Sequence, residues 1–289
     1  MKKTILASFL FIVCFYSIAQ NKLLTIEDAL VNNRGSLAIK NLRGAQFVYG
    51  TDDLVYLENK EGKDTWMKKG TATPYLTLDE LNQKLKTAGL EEVKAMPAIQ
   101  FNKSADWIMT VGGSKVALTP ATGKARVIVD KSIAGKDHVE ESIAGYVAYV
   151  DKYNLFVTDG KAARQITTDG SENIVYASSV HRDEFGISKG TFWSNAGRKL
   201  AFYRMDQSMV TDYPVIDWTQ RPAKAVNIKY PMAGDKSHHV TVGVYNAENG
   251  SQVYLQTGEP KEQYLTNIAW SPDDRFVFIA IVNREQNAM

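Results

Sequence analysis

The chain has 289 residues, of which 44% are hydrophobic and 23% are charged, so it can bury the core of a globular protein. Its formal net charge is +2 when histidine is neutral. A charge this small gives no electrostatic reason to expect nucleic acid or an anionic membrane as a partner. We therefore expect no nucleic-acid partner.

Residues 1–19 have the pattern of a secretory signal peptide. Two lysines precede the apolar run TILASFLFIVCFYSIA, and Ser17 and Ala19 are small residues at the positions a signal peptidase requires. The run is shorter than the roughly 20 apolar residues of a transmembrane helix. We expect cleavage before Gln20 and export to the periplasm or the medium. The single cysteine, Cys14, would be lost with the signal, so the mature protein would contain no disulfide.

Removing the two signal lysines from 34 basic residues leaves 32, which equals the 32 acidic residues. The mature chain is then neutral. It begins with a segment, residues 20–39, in which TIEDAL predicts a short helix capped by Thr25. A stronger helix is predicted for TLDELNQKLKTAGL, where Thr77 and Glu80 form a capping box and Gly89 ends the helix.

Most other segments have the composition of short strands, rich in β-branched and aromatic residues and bounded by turn residues. The segments are AQFVYG, DLVYLEN, DWIMTVGG, KVALTP, ARVIVD, YVAYVD, NLFVTD, KLAFYRMD, TVGVYN, QVYLQT and FVFIAIVN. Tyr213 and Pro214 are interpreted as part of a turn. This many strands predicts an all-β fold, either a sandwich, a barrel or a propeller.

An internal repeat favours the propeller. FWSNAGRKLAFYRMD aligns without a gap with AWSPDDRFVFIAIVN, which places Trp193 and Trp270 at equivalent positions 77 residues apart. GYVAYVDKYNLFVTDGKAARQITTDG has a similar strand-turn-strand layout. We predict an incomplete β-propeller at residues 40–289, with an irregular β-sandwich as the alternative. At about 40 to 50 residues per blade, the chain would hold four or five blades and stop within one. It would then be the N-terminal part of a longer protein.

Three segments resemble the propeller of the dipeptidyl peptidase IV branch of the prolyl oligopeptidase family. They are VHRDEFGISKGTFWSNAGRKLAFYRMDQSMVTDYP, KYPMAGDKSHHVTVGVYN and TGEPKEQYLTNIAWSPDD. The resemblance extends over essentially the whole mature chain and is strongest from Val180 to Arg284.

The resemblance implies an eight-bladed propeller that caps an α/β-hydrolase domain, in a serine peptidase that releases X-Pro or X-Ala dipeptides from peptide N-termini. It also implies that the propeller gates access and that two adjacent acids bind the substrate's free α-amino group. Asp183 and Glu184 match those acids. The alternative for an adjacent Asp-Glu pair is an ordinary solvated turn. Expected partners are peptides with a free N-terminus, the hydrolase domain beyond this chain, and a second copy in a homodimer.

The catalytic residues are expected to be absent from this chain, since we expect no G-x-S-x-G nucleophile elbow and the family's triad would lie beyond Met289. The isolated chain is therefore predicted to be inactive, and no metal or cofactor is expected. His181 is expected either to orient Glu184 or to pack, and His238 and His239 are interpreted as turn or surface residues. A second hypothesis is a free-standing propeller that binds peptides or proteins without catalysis.

Overall fold

The computed structural model describes residues 23–39, 41–60 and 62–289. The signal predicted at residues 1–19 lies outside this part of the chain. The chain divides into one unit that ends at Ala45 and a second from Gln46 to Met289. No helix in the described ranges is long and apolar enough to cross a membrane.

The described residues of the first unit form one short helix, α1 (Ile26–Leu30), followed by a 3₁₀ turn at Asn32–Arg34. Thr25 caps α1 as predicted. Its hydroxyl accepts from the Asp28 amide at 3.0 Å, and the Asp28 carboxylate accepts from the Thr25 amide at 3.2 Å. These two bonds satisfy amides that have no partner within the helix.

The second unit contains two helices, α2 (Leu78–Thr87) and α3 (Lys131–Ala134). The capping box predicted at the start of α2 is confirmed, because the Thr77 amide donates to the Glu80 carboxylate at 2.8 Å. Gly89 follows the helix with a φ of +74°, a conformation that glycine adopts without strain. The single turn of α3 was not predicted, since too few residues are involved to show a helical period.

Strands make up most of the remaining structure. Their bounds are β1 (Arg43–Phe47), β2 (Leu54–Lys60), β3 (Lys63–Lys68), β4 (Pro74–Leu76), β5 (Trp107–Val111), β6 (Ser114–Thr119), β7 (Lys124–Val129), β8 (Asp137–Glu141), β9 (Val147–Asp151), β10 (Asn154–Thr158), β11 (Ala163–Gln165), β12 (Ile174–Tyr176), β13 (Thr191–Trp193), β14 (Lys199–Asp206), β15 (Asp212–Asp217), β16 (Lys224–Lys229), β17 (His239–Asn246), β18 (Gln252–Tyr254), β19 (Gln263–Trp270) and β20 (Val277–Asn283).

The strands of the described residues form five sheets in chain order and one separate hairpin. The sheets contain β1 to β4, β5 to β7, β8 to β11, then β12, β13, β14, β17 and β18, and finally β19 with β20. The last two residues of β1 belong to the second unit. Successive antiparallel sheets, each built from neighbouring strands, are the arrangement of propeller blades. The prediction of a partial β-propeller is confirmed.

The tryptophans of the sequence repeat make equivalent contacts between sheets. Trp193 ends β13, and its indole N–H donates to the Glu140 carbonyl on β8 at 3.3 Å. Trp270 ends β19, and its indole N–H donates to the Phe192 carbonyl on β13 at 2.8 Å. Each indole therefore bonds to the preceding sheet, so the repeat is one of structure as well as of sequence.

Strand β14 is buried on both faces and joins two hydrophobic clusters. Leu200 and Phe202 pack with residues of the third sheet, whereas Ala201 and Tyr203 pack with residues of the fifth. Gly243 lies opposite Phe202 on β17, where a Cβ atom would come within 2.3 Å of the Phe202 ring. The ring therefore occupies the space that a side chain at position 243 would need.

The hairpin of β15 and β16 leaves the fourth sheet between β14 and β17. The interpretation of Tyr213 and Pro214 as a turn is wrong, because both lie in β15 and Pro214 pairs with Asn227. A proline is tolerated there because a two-stranded ribbon has an outer edge that needs no amide donor. Val215 and Trp218 are 44% and 80% exposed, so the hairpin presents apolar side chains to solvent.

Candidate functional site

The two candidate acids lie in an irregular segment, His181–Gly186, which we call the acid turn. The segment connects β12 to β13 within the fourth sheet. Val180 before it and Ile187 after it are buried in the cluster between the fourth and fifth sheets. Both ends of the acid turn are therefore fixed by the core, while Asp183 and Glu184 between them are exposed.

The backbone of the acid turn is left-handed at residues that rarely adopt this conformation. The non-glycine residues with positive φ are His181 (56°), Arg182 (58°), Asp183 (62°) and Phe185 (57°). Each such residue costs about 1 to 2 kcal/mol relative to its right-handed form. Glu184 is extended, with φ −67° and ψ 166°. A conformation this unfavourable persists only where the surroundings hold it, and such sites are often functional.

The irregular backbone also bears on how the two acids can act together. Side chains of adjacent residues diverge on a regular helix, so a shared ligand requires a different backbone. The left-handed Asp183 is followed by the extended Glu184, so the acid turn is not a regular helix.

His181 packs in the core and makes no hydrogen bond to Glu184. It is 3% exposed. Its Nδ1 lies 3.0 Å from Nε2 of His238, and its Nε2 accepts from the Leu265 amide at 3.1 Å. Burial, together with His238 and Arg284, lowers the pKa of His181 to about 3. Its side chain packs in the core, and it does not orient Glu184 by a direct hydrogen bond.

A second buried histidine, His238, was not predicted from the sequence. This residue is 6% exposed and its Nε2 also accepts from the His181 amide at 3.2 Å, so the interpretation as a turn or surface residue is wrong. Burial, followed by Arg284, His239 and Arg182, lowers its pKa to about 4. The alternation of β17 contained the signal: Val240 and Val242 are buried, and two residues earlier the same face carries His238.

The carboxylates of Asp183 and Glu184 have no hydrogen-bond or ion-pair partner among the described residues. The neighbouring cation does not neutralise them, because the Arg182 guanidinium lies over the Tyr230 ring at 5.0 Å. Lys229, on the same side, pairs with Asp212 at 3.0 Å. Both acids are therefore available to a cationic ligand.

A cavity of about 260 Å³ lies next to the acid turn. Asp183 and His238 are on its wall, whereas Glu184 is not. The other lining residues are Ser178, Ser179, Val180, Arg182, Met205, Gln207, Val210 and Lys229. The two acids thus face different surroundings, one beside a polar recess and the other beside open solvent.

Aromatic contacts support the acid turn from the fifth sheet. The Tyr264 ring lies 5.1 Å from that of Phe185 and 5.0 Å from that of His181. Arg284 donates to the Tyr264 hydroxyl at 3.2 Å. Phe185 is 37% exposed, so it covers Tyr264 from the solvent side and does not enter the core as Ile187 does.

One G-x-S-x-G string does occur in the chain, Gly186–Gly190, and the expectation that there is none is wrong as a statement about the sequence. A nucleophile elbow places its serine between a strand and a helix. Here Ser188 follows the acid turn and precedes β13, so that context is missing. Ser188 and His138 line one cavity of about 250 Å³, but no hydrogen bond joins them.

The arrangement is suited to holding a cation and not to cleaving a bond. Two unpaired carboxylates stand on a backbone fixed at both ends, and both ring nitrogens of the nearby His181 are occupied. An ammonium group offers several donors to such carboxylates in charge-assisted hydrogen bonds.

Comparison with known families identifies this part of the chain. Residues 142–289 match the family described as the dipeptidyl peptidase IV (DPP IV) N-terminal region. The match covers slightly more than half of the 289 residues, and it includes the acid turn.

Two fungal relatives are assigned as dipeptidyl-aminopeptidase B. The protein from Penicillium rubens is 26% identical over 294 residues, covering 91% of this chain and 31% of the relative. The protein from Pyrenophora tritici-repentis is 28% identical over 163 residues, covering 50% of this chain and 18% of the relative.

Two crystal structures are similar. A protein from Bacteroides ovatus assigned as a dipeptidyl aminopeptidase IV is 35% identical with a TM-score of 0.70, covering 86% of this chain and 34% of that protein. Dipeptidyl peptidase 4 from Porphyromonas gingivalis is 18% identical with a TM-score of 0.59, covering 92% of this chain and 40% of that protein. The second supports the fold alone. The chain spans at most 40% of the length of these four proteins.

Proposed function

Because this chain belongs to the family of the dipeptidyl peptidase IV N-terminal region, we propose that it forms the propeller of an exported serine dipeptidyl peptidase. The complete enzyme would release X-Pro or X-Ala dipeptides from peptides with a free N-terminus. The serine and the rest of the catalytic site would lie on an α/β-hydrolase domain of the longer protein. The small share of each relative that the chain covers supports this division.

Within that enzyme, the propeller would gate access and Glu184 and Asp183 would bind the substrate's α-ammonium group. The observation that carries this role is the exposed, unpaired state of both carboxylates on a backbone that the core holds in place. A fixed backbone matters because a ligand then need not order the site on binding.

Fixing the α-ammonium would also set the position of the cut. Two extended residues span about 7 Å at roughly 3.3 to 3.6 Å each. A single amine-binding point would therefore bring the carbonyl of the second residue to the serine, and no other. A solvated turn that binds no amine would not fix the distance between the substrate's N-terminus and the bond that is cut.

The experiment is kinetic and uses the full-length protein with a chromogenic Ala-Pro amide. Loss of one partner from a desolvated ion pair costs about 3 to 5 kcal/mol. At about 1.4 kcal/mol for each factor of ten, Glu184→Ala should lower kcat/KM by two to three orders of magnitude. Asp183→Ala should lower kcat/KM by a smaller factor if the shorter aspartate side chain reaches the amine through water. Glu172→Ala, an exposed acid outside the acid turn, is the matched control and should leave kcat/KM unchanged.

The uncharged N-acetylated substrate provides the second arm. It should be cleaved poorly by the wild type, and Glu184→Ala should reduce its cleavage little further. Near-normal cleavage of the free-amine substrate by folded Glu184→Ala would contradict the proposal. Binding of peptides by a full-length protein that never cleaves them would favour the non-catalytic propeller instead.

Export is a separate part of the proposal and is supported by the sequence of residues 1–19. Intact-mass measurement of exported protein should give a chain that starts at Gln20. Retention of residues 1–19 in that material would contradict it.

We also propose that the complete protein forms a homodimer and that the β15–β16 hairpin contributes to its interface. The support is the set of apolar side chains that the hairpin exposes, including Val215, Ile216 and Trp218. Analytical ultracentrifugation should show that Trp218→Ser weakens the dimer. A monomeric wild type would rule this part out.

A further inference from the structure

The acid turn is joined to other elements by few polar contacts. Two local bonds join it to its flanking residues: the Asp183 amide donates to the Val180 carbonyl, and the Ile187 amide donates to the Glu184 carbonyl. Among the described residues, its hydrogen bonds to other elements all involve His181, which contacts His238 and Leu265. His181 is therefore the polar link between the acids and the rest of the fold.

The direction of these hydrogen bonds follows from the Leu265 amide, which can only donate. Nε2 of His181 accepts from it, so a neutral His181 carries its proton on Nδ1. That proton is donated to Nε2 of His238, which must be unprotonated. The same Nε2 accepts the His181 amide. Nε2 of His238 thus accepts hydrogen bonds from both the side chain and the backbone amide of His181, the first residue of the acid turn.

His238 is itself held by the core. It directly precedes β17, and the buried Val240 and Val242 lie on the same face of the chain. Its ring plane is inclined by 29° to that of His181, with centroids 5.0 Å apart. The next residue, His239, is half-buried and makes no hydrogen bond to the acid turn, so it offers a neighbouring control position.

We propose that His238 is a positioning residue for ammonium binding: by fixing His181 it sets where the carboxylates of Asp183 and Glu184 lie. This inference rests on the proposed function of the two acids. His238 touches neither acid by a hydrogen bond, and its effect is transmitted through the His181 backbone, two residues before Asp183. A change at His238 should therefore weaken the recognition of the amine and leave the rest of the substrate site unaffected.

Two amide substitutions separate this role from general packing. In His238→Gln the side-chain oxygen can reach the position of Nε2 and accept from His181. In His238→Asn the side chain is one methylene shorter than that of glutamine. Its oxygen ends near the position of Nδ1 and cannot reach His181. Both replacements are neutral, polar and smaller than histidine, so they differ chiefly in whether an acceptor faces His181.

The test measures inhibition of the full-length enzyme by Ala-Pro and by propionyl-Pro, which differ only in the α-amine. We expect His238→Asn to weaken inhibition by Ala-Pro about tenfold, the effect of losing one buried hydrogen bond. Inhibition by propionyl-Pro should change less than about twofold, which is the variation expected for a substitution that does not affect how this inhibitor binds. His238→Gln should restore Ala-Pro to within about threefold of the wild type, and His239→Asn should leave both inhibitors unchanged.

Equal weakening of both inhibitors by His238→Asn would overturn the proposal, because it would indicate a structural role. So would an unchanged response to Ala-Pro, or a folded His238→Gln that behaves like His238→Asn. Thermal unfolding of each variant shows whether it is folded. If His238→Asn does not fold, His238→Gln decides alone: retained preference for Ala-Pro supports the proposal, and lost preference overturns it.

Glu184→Ala is measured with the same two inhibitors. If it removes the preference for Ala-Pro while His238→Asn does not, only the positioning role fails. If Glu184→Ala leaves that preference intact, the proposed function fails and the positioning role with it.

Discussion

The Tyr203 hydroxyl donates a hydrogen bond of 2.7 Å to the Leu265 carbonyl, which joins β14 of the fourth sheet to β19 of the fifth. The same Leu265 donates its amide to His181. Leu265 therefore accepts a hydrogen bond from a core tyrosine through its carbonyl and donates one to the acid turn through its amide. Tyr203 is 1% exposed, and burial raises the pKa of its hydroxyl.

Tyr203→Phe should lower the free energy of unfolding by about 1 to 3 kcal/mol, because it leaves the buried Leu265 carbonyl without its donor. Urea denaturation would measure the change. Tyr245→Phe is the matched control, since Tyr245 is also buried but its hydroxyl has no hydrogen bond among the described residues. Similar losses for the two variants would mean that the hydroxyl bond is not the cause.

The histidine pair should make stability depend on pH. The pKa values of His181 and His238, about 3 and about 4, lie below the value of about 6.5 in an unfolded chain. The unfolded state therefore binds more protons as the pH falls. Stability from this source is complete above about pH 6.5 and is lost progressively as the pH falls to about 3. At about pH 4, protonation of His238 alone lowers the free energy of unfolding by about 3 kcal/mol.

Denaturation of the wild type and of His238→Gln between about pH 7.5 and 4.5 would measure this dependence, because glutamine does not titrate in the range. The variant should lose stability less steeply as the pH falls. Parallel curves would show that His238 is protonated equally in the folded and unfolded states.

Gly243→Ala should destabilise the fourth sheet. The added Cβ would meet the fully buried Phe202 ring at 2.3 Å, so the ring or a strand must move. Overpacking of this kind costs about 1 to 3 kcal/mol. Gly135→Ala is the control, because nothing lies within 4 Å of a Cβ there. A thermal midpoint for Gly243→Ala equal to that of the control would contradict the packing described here.

Asp274 should be important for joining the fourth and fifth sheets. Its carboxylate accepts from the amides of Asn195 and Ala196, both at 2.7 Å, across the two equivalent turns of the repeat. Partial desolvation raises the pKa of Asp274, but the amide bonds and the side-chain hydrogen bonds with Ser194 and Asn195 together lower it further, so the net pKa is lowered. Asp274→Ala should cost about 1 to 2 kcal/mol, the lower part of the range for charged hydrogen bonds because the site is near solvent.

Asp273→Ala is the comparison for this prediction, since among the described residues Asp273 bonds only to Ser271 and Arg275, within its own turn. Asp274→Ala should be the more destabilising of the two in urea. The reverse order would indicate that the contact between the sheets contributes little.

Local signals in the sequence were enough to predict several elements. Thr25 and the pair of Thr77 and Glu80 cap helices as predicted, because a capping box involves residues only three positions apart. The tryptophan repeat predicted the propeller, because equivalent blades require the same residue at the same contact. Trp193 and Trp270 make that contact.

The conformation of the acid turn could not be predicted in the same way. Arg182 and Phe185 are left-handed although neither residue type favours positive φ, and aspartate, the type at position 183, has only a modest preference for it. Their conformation depends on His238, which lies 57 residues beyond His181 in the chain. A contact at that separation appears only once the sheets are assembled.

The indole contacts of Trp193 and Trp270 have a direction, because each donates to a sheet that comes earlier in the chain. During synthesis, or while the chain emerges from a translocation channel, the acceptor carbonyl is always the first of the two groups to appear. Each new blade can therefore dock on a neighbour that has already formed. The propeller is in this sense suited to vectorial folding from its N-terminal end, and the acid turn gains its hydrogen bond from the Leu265 amide only when β19 arrives.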